Sequence, residues 1–170
     1  IANKHFVISL KGPGKYSSLL SKLGIKVYCL NIRFFSIHKF IFLTKLLRSL
    51  KPDIVQTWLV HADFLGSIAA RLAGINNILW NVRYSNIEIG KAKLTTIFII
   101  KILSLLSYLI PKFIVTVSKK AKKIYEIIEY NKRIFKFIPN GYDLKILKIN
   151  KLQKKNFKKK NKIKKQIPLI

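Results

Sequence analysis

Apolar runs of strand length alternate with segments of helical period along most of the chain. The runs predicted to be strands cover residues 5–10, 25–30, 53–58, 76–82, 112–118 and 134–139. Between them, apolar residues recur at three- and four-residue spacing, which predicts helices over residues 16–23, 38–50, 63–73, about 92–110 and 119–130. Strands that alternate with helices through short loops form parallel sheets through right-handed crossovers. The predicted fold class is therefore α/β, a doubly wound, Rossmann-like parallel sheet with helices on both faces.

Local signals refine this outline at three positions. Asp63 and Ser118 each stand where a predicted helix begins, so both are predicted to be helix N-caps. Cys29 is the only cysteine of the chain and lies in an apolar run, which predicts a buried side chain. A single cysteine also excludes an intrachain disulfide and a cysteine-rich zinc site.

The longest apolar run, residues 94–110, allows three interpretations. It is shorter than the roughly 20 residues that a membrane span needs, and Lys101 lies in its middle. Lys101, Ser104 and Tyr108 are at helical spacing, which predicts one polar stripe on an otherwise buried helix. We favour such a core helix over contact with a membrane surface, and surface contact over a membrane span.

The charge of the chain is strongly positive, with a net charge of +28 over 170 residues. Nucleic-acid interfaces depend on arginine for bidentate contacts, whereas nearly all of this charge is lysine. Lysine, isoleucine, asparagine, phenylalanine and tyrosine are all abundant and all have A/T-rich codons. We therefore expect no nucleic-acid partner, and a basic α/β domain that binds nucleic acid stays as an alternative.

The composition changes near residue 147. Residues 1–147 carry the α/β pattern, whereas residues 148–170 are dense in lysine and predict a linker followed by the start of another domain. The chain contains no methionine, even at its first position. We therefore expect a piece of a longer protein, truncated at both ends.

Candidate chemistry collects in the loops that follow the predicted strands, where ligands bind in doubly wound folds. Five residues of these loops are predicted to line a cleft close to a phosphate: Gly12, Gly14, Ser118, Asn140 and Gly141. The glycines lack the spacing of a phosphate-binding loop, so a tight turn is the favoured role of "KGPGK". The three histidines show no metal-ligand spacing, and no metal is expected.

Two further loops carry the more unusual side chains. In "WLVHAD", Trp58 and His61 are not needed to cap the following helix, and binding and structural roles are equally open for both. The segment "RYSN" places four hydrogen-bonding side chains in a row, a set that suits a sugar or a phosphate: Arg83, Tyr84, Ser85 and Asn86. Turns also collect serine and asparagine, so a plain turn is the alternative there.

Six stretches, taken in order, resemble the amino-terminal domain of family-four glycosyltransferases, which have the two-domain GT-B fold. They are "HFVISL", "LGIKVYCL", "KPDIVQTWLVHADFLGSIAARLAGI", "ILWNVRYSN", "IVTVSKKA" and "FIPNGYDL", and they span residues 5–147. Their order and spacing carry the resemblance, since no single stretch is diagnostic.

The resemblance implies an enzyme that moves a sugar from a nucleotide-sugar donor to a polysaccharide or lipid-linked acceptor, with retention at the anomeric carbon. It implies a cytoplasmic protein, with peripheral contact at the inner face of the membrane. In that family the amino-terminal domain shapes the acceptor side, and a second domain with a paired-glutamate motif holds the nucleotide. No cofactor is implied besides the nucleotide-sugar co-substrate.

Two departures from the family pattern shape the expectations. The family's first strand and glycine-rich loop have no counterpart here, and Tyr84 stands where relatives tend to have histidine. Because tyrosine is a poor base near neutral pH, we assign Arg83 and Tyr84 to acceptor binding, together with Trp58, His61, Ser85 and Asn86, and name no catalytic residue. We expect the chain alone to be inactive; a non-functional remnant of a degraded gene is the remaining alternative.

Overall fold

The computed structural model of the chain describes residues 4–32, 36–83, 94–141 and 160. Every predicted strand and helix is confirmed, with shifts at the ends. The strands are β1 Phe6–Ser9, β2 Lys26–Cys29, β3 Val55–Trp58, β4 Ile78–Val82, β5 Phe113–Thr116 and β6 Phe135–Phe137. The helices are α1 Ser17–Lys22, α2 Ile37–Leu50, α3 Val60–Leu72, α4 Leu94–Leu106 and α5 Lys119–Ile127, with a short 3-10 helix at Lys132–Ile134.

All the strand pairs among the described residues are parallel. β1 pairs with β2, and a four-stranded sheet has the order β3-β4-β5-β6. Together with the helices on both sides of the sheets, this confirms the predicted α/β, Rossmann-like class. Ile1–Pro139 form one compact unit and Asn140–Ile170 a second. The predicted domain boundary after residue 147 lies outside the described residues and stays a prediction.

The centre of the core lies where the four-stranded sheet meets its helices. Ile78, Trp80 and Ile114 are fully buried. Trp80 packs edge-on against Tyr130, with ring centroids 6.1 Å apart, and Tyr130 in turn packs edge-on against Tyr125 at 4.9 Å. These aromatic contacts connect the sheet to α5 and the turn after it.

The start of α3 differs from the prediction, and the role expected for Asp63 was wrong. The helix begins at Val60, so Asp63 lies one turn inside it and is not its N-cap. The side chain is only 3% exposed, and its Oδ1 accepts a hydrogen bond of 2.5 Å from Thr57 Oγ1 on β3. Asp63 therefore ties the first turn of α3 to the strand that precedes it.

The strand-to-helix turn depends on an unusual backbone conformation at Leu59. Its φ of 77° and ψ of 152° lie in a region that side-chain-bearing residues rarely adopt. The carbonyl of Leu59 accepts the first helical hydrogen bond, from the amide of Asp63 at 2.9 Å. The turn is thus made in one residue, which brings the helix start forward from the predicted position 63.

The structure confirms one of the other predictions about single residues and contradicts others. Ser118 is confirmed as the N-cap of α5, since its Oγ accepts a hydrogen bond of 3.3 Å from the amide of Ala121. Cys29 is exposed, so its predicted burial was wrong. In α4, Ser104 is buried and does not belong to a polar stripe with Lys101 and Tyr108, which are exposed.

The predicted core role of α4 is confirmed by its inner face, where Ile99, Ile100 and Leu103 are buried. Among the described residues, no helix has the length and apolar character that crossing a membrane would require.

The backbone strain at Leu59 can be tested by measuring the free energy of unfolding of a glycine variant. Leu59→Gly is expected to raise the free energy of unfolding by about 1 kcal/mol, because glycine adopts this backbone conformation without the steric cost that leucine bears. Leu23→Gly is the matched control, since Leu23 is similarly exposed but has a φ of −82°. That substitution is expected to lower stability by about 0.5–1 kcal/mol. Urea denaturation compares the two, and equal destabilisation would contradict strain at Leu59.

The Asp63 carboxyl predicts a pH dependence of stability. Burial raises its pKa from 3.8 to about 7, with the Thr57 hydrogen bond opposing the rise. Between these two pH values the folded chain binds more protons than the unfolded chain, so the free energy of unfolding is expected to fall as the pH rises, by about 2 to 4 kcal/mol in total.

Asp63→Asn is the control for this prediction, because its amide oxygen can still accept from Thr57 while the group no longer titrates. Urea denaturation at several values between pH 4 and 7 should show a flatter profile for the variant. Identical profiles for the two proteins would show that another group causes the pH dependence.

Candidate functional site

Two of the predicted binding residues, Trp58 and Arg83, meet at the carboxyl-end edge of the four-stranded sheet. Trp58 ends β3, and Arg83 follows β4 directly. The guanidinium carbon of Arg83 lies 4.5 Å from the centroid of the Trp58 ring, in a cation–π contact. The structure thus joins side chains that are 25 positions apart in the sequence.

The register of the sheet explains this meeting. Trp58 is the direct partner of Asn81 on β4, so their side chains are on the same face of the sheet. Arg83 is two residues further along and returns to that face. Its Nε donates a hydrogen bond of 3.2 Å to Oδ1 of the buried Asn81, which orients the guanidinium over the indole.

Asn81 is a site residue that the sequence reasoning missed. The available signal was an amide side chain inside a strand that is otherwise apolar, "ILWNV". Such a side chain needs a hydrogen-bond partner when it is buried, and here that partner is Arg83.

The pair of Trp58 and Arg83 offers two kinds of contact to a ligand. Trp58 is 46% exposed, so part of its ring surface is open to solvent. An aromatic face packs against the C–H groups of a sugar ring, and guanidinium N–H groups suit hydroxyl or phosphate oxygens. The combination therefore suits a sugar or a sugar phosphate.

Of the other four predicted acceptor-binding residues, only His61 is among the described residues. His61 is exposed on the first turn of α3, three residues after Trp58, and its binding role stays a prediction. Tyr84, Ser85 and Asn86 lie outside the described residues, so nothing of their arrangement is known and their role also stays a prediction.

The loop with Gly12 and Gly14 forms a tight turn, as favoured from the sequence. Ser9 Oγ donates to the Gly12 carbonyl at 3.1 Å, and the Gly14 amide donates to Ser17 Oγ at 2.8 Å. A Cβ atom at Gly12 would lie 2.9 Å from Oδ1 of Asn31, so a larger residue there would have to move the Asn31 side chain. Because the Gly14 amide already has a partner, a phosphate would have to displace Ser17 to reach it.

Ser118 and the Asn140–Gly141 pair complete the predicted cleft residues. The carbonyl of Ser118 accepts a hydrogen bond of 3.2 Å from Thr116 Oγ1, while the Ser118 side chain caps α5. Asn140 and Gly141 are exposed and belong to the second unit. Contact of any of these residues with a phosphate stays a prediction.

The carboxyl of Asp63 is on the opposite face of the sheet from Trp58, because it contacts Thr57 and successive strand residues alternate in direction. On that face, the hydroxyl of Thr57 donates its hydrogen bond to the Asp63 carboxyl. Burial raises the pKa of both Tyr125 and Tyr130, and the charge of Asp63 raises them further, so both phenols are neutral.

Among the described residues, no group of three or more histidine, cysteine or acidic side chains could hold a metal ion. The expectation that no metal or other cofactor is needed stays a prediction.

Comparisons with known proteins identify similar solved structures. HepE (Alr3699) of Anabaena in complex with UDP-glucose superposes with a TM-score of 0.72 at 14% identity, and its complex with UDP and glucose gives 0.71 at 15%. Each comparison covers 92% of this chain and 42% of that one. A glycosyltransferase from Rickettsia africae gives 0.63 at 16% identity, over 96% of this chain and 42% of that one.

No protein-family model matches the chain, and no curated protein matches it. Sequence identities this low show the fold and nothing finer. The chain spans less than half the length of each of these solved structures. The chain therefore shares the Rossmann-like fold of these solved structures.

Proposed function

We propose that the chain is the acceptor-side domain of a retaining, family-four glycosyltransferase of the GT-B fold. The whole enzyme would transfer a sugar from a nucleotide-sugar to a cell-surface polysaccharide or glycolipid. The observation that carries the proposal is the Trp58–Arg83 pair at the carboxyl-end edge, where this fold binds ligands. The structural likeness to HepE, which binds UDP-glucose, supports a nucleotide-sugar donor.

In this proposal the described residues bind and orient the acceptor. Trp58 packs against the face of an acceptor sugar, and Arg83 donates hydrogen bonds to its hydroxyl or phosphate oxygens. Asn81 acts through Arg83, because its side chain fixes the direction of the guanidinium. Tyr84, Ser85, Asn86 and His61 would add hydrogen bonds around the same sugar.

The donor would be held by a second domain, as the resemblance implies, so transfer needs more than the described residues. Orientation of the acceptor hydroxyl toward that donor is the contribution of this domain to the rate. A glycolipid acceptor would place the enzyme in the cytoplasm, in peripheral contact with the inner face of a membrane.

Substitutions at the aromatic–cation pair test the acceptor role. In the full-length enzyme, Trp58→Ala and Arg83→Lys are each expected to raise the KM for acceptor by about tenfold or more, because one removes the packing face and the other the planar donor group. Transfer of radiolabel from UDP-glucose and other UDP-sugars to a lipid and polysaccharide extract of the source cells gives the measurement.

Lys136→Ala is the matched control for this experiment. Lys136 also lies over an aromatic ring, with its Nζ 5.2 Å from the centroid of Phe113, but it is exposed on β6, away from Trp58. The KM of the Lys136→Ala variant for acceptor should equal that of the unmodified enzyme. Absence of transfer from every nucleotide-sugar would overturn the proposed function, and unchanged KM values for both site variants would overturn the assigned site.

A further inference from the structure

A second aromatic–cation pair lies at the carboxyl-end edge of the four-stranded sheet. Phe137 is the last residue of β6, and Lys119 is the first residue of α5. The Nζ of Lys119 lies 5.9 Å from the centroid of the Phe137 ring. Phe137 is 45% exposed, nearly the same fraction as Trp58 at 46%. These two residues, called here the β6 pair, have no part in the acceptor site described above.

The position of the β6 pair distinguishes it from a similar contact in the same sheet. Among the described residues, three aromatic side chains of this sheet have a cation over the ring: Trp58, Phe113 and Phe137. Phe113 begins β5, so Lys136 reaches toward the amino ends of the strands to contact it. Trp58 and Phe137 instead each end a strand, at the edge where this fold binds ligands.

The sheet determines how far apart the two carboxyl-end pairs are. β3 and β6 are the outer strands of the order β3-β4-β5-β6, so three strand spacings, about 14 Å in all, separate them. The register aligns Trp58 with Lys136, so the next residue, Phe137, points to the opposite face. A ligand that contacts both rings therefore crosses the strand ends from one face to the other. A single sugar ring is too short for this, whereas an oligosaccharide is long enough.

The charges that the described residues bring to this edge are positive. The exposed cations there are Arg83, Lys119 and Lys120. Of the described carboxylates, that of Asp63 is buried. The others lie toward the amino ends of the strands, before β3 or near the end of α5: Asp53, Glu126 and Glu129. A ligand at the carboxyl-end edge therefore gains from carrying negative charge.

We propose that the β6 pair is a second acceptor subsite, and that the acceptor is an acidic oligosaccharide. One sugar ring would pack on Trp58, and a ring further along the chain would pack on Phe137. Arg83 and Lys119 would bind carboxylate or phosphate groups that the sugars carry. The inference rests on the proposed function, and it narrows the acceptor to one whose sugars are negatively charged.

Single-stranded nucleic acid also combines flat rings with negative charge. Proteins that bind it stack successive bases on neighbouring aromatic side chains. The rings of Trp58 and Phe137 lie on opposite faces of the sheet, about 14 Å apart, so successive bases cannot stack on both. This spacing favours an oligosaccharide, in which the two contacted rings are separated by others.

The dependence of affinity on acceptor length tests the second subsite. Isothermal titration calorimetry at physiological ionic strength compares digalacturonate, pentagalacturonate and the neutral maltopentaose on the whole chain. Pentagalacturonate is expected to bind at least about tenfold more tightly than digalacturonate, because only the longer chain contacts both subsites. Maltopentaose is expected to bind at least about tenfold more weakly than pentagalacturonate, because it lacks carboxylates.

Variants of the β6 pair separate this subsite from general attraction to a basic chain. Phe137→Ala should reduce the affinity for pentagalacturonate about tenfold, to that for digalacturonate, because one packing face is lost. Lys119→Ala should reduce it at least about threefold. Lys119 is exposed at the start of its helix, so this variant keeps the test valid if Phe137→Ala does not fold.

Lys136→Ala is the matched control, because it also removes one exposed lysine that lies over a phenylalanine ring. Its affinity for pentagalacturonate should stay within about twofold of that of the unmodified chain. Equal losses in Lys119→Ala and Lys136→Ala would overturn the proposal, since overall charge would then explain the binding. An unchanged affinity in both Phe137→Ala and Lys119→Ala would overturn it too.

A competition experiment tests the rival ligand. Oligothymidylate of the same number of charges as pentagalacturonate should bind no better to the unmodified chain than to Phe137→Ala. Tighter binding that is lost in this variant would overturn the proposal in favour of nucleic acid. Because no donor is present in these titrations, their failure would leave sugar transfer by the full-length enzyme untouched, whereas absence of transfer is seen only in the transfer assay.

Discussion

The buried hydrogen bond between Thr57 and Asp63 is the contact on which the geometry of the candidate site depends. It joins the strand β3 to the first turn of α3, across a connection in which Leu59 alone makes the turn. Thr57 faces the helix, and its neighbour Trp58 must therefore face the other side of the sheet. An aromatic ring is in this way held at the carboxyl-end edge by a contact that it does not itself make.

The contact between Trp58 and Arg83 is weak enough to be adapted by a ligand. Cation–π contacts at exposed positions are worth about 0.5–1 kcal/mol, and charge-assisted hydrogen bonds to a phosphate are stronger. In the proposed function, Arg83 would therefore turn toward an acceptor oxygen while its hydrogen bond to Asn81 limits how far its Nε moves. The hydrogen bond to Asn81 orients the guanidinium, and the weak cation–π contact leaves its N–H groups able to shift; under the proposed function, this would suit acceptors of varied shape.

The periodicity of the sequence predicted the order of strands and helices because burial against a sheet imposes it. The same reasoning brought Trp58 and Arg83 to one edge, since adjacent parallel strands end there together. It misplaced Asp63, because no local signal shows that Leu59 adopts a positive φ or that a carboxyl will be buried against a threonine. The role of Asn81 was not predicted, because its partner Arg83 depends on how β3 and β4 are aligned in the sheet, and the hydropathy pattern does not determine that alignment.

The orientation of α4 shows why polarity alone does not decide which face of a helix is buried. Ser104 and Ser107 are buried, because their hydroxyls donate to the carbonyls of Lys101 and Ser104 within the helix and its end. Small side chains satisfied in this way allow close packing against the core. The bulky Leu105 and Phe98 are then left outside. The apolar outer face of α4 is thus a consequence of the tight packing of its inner face.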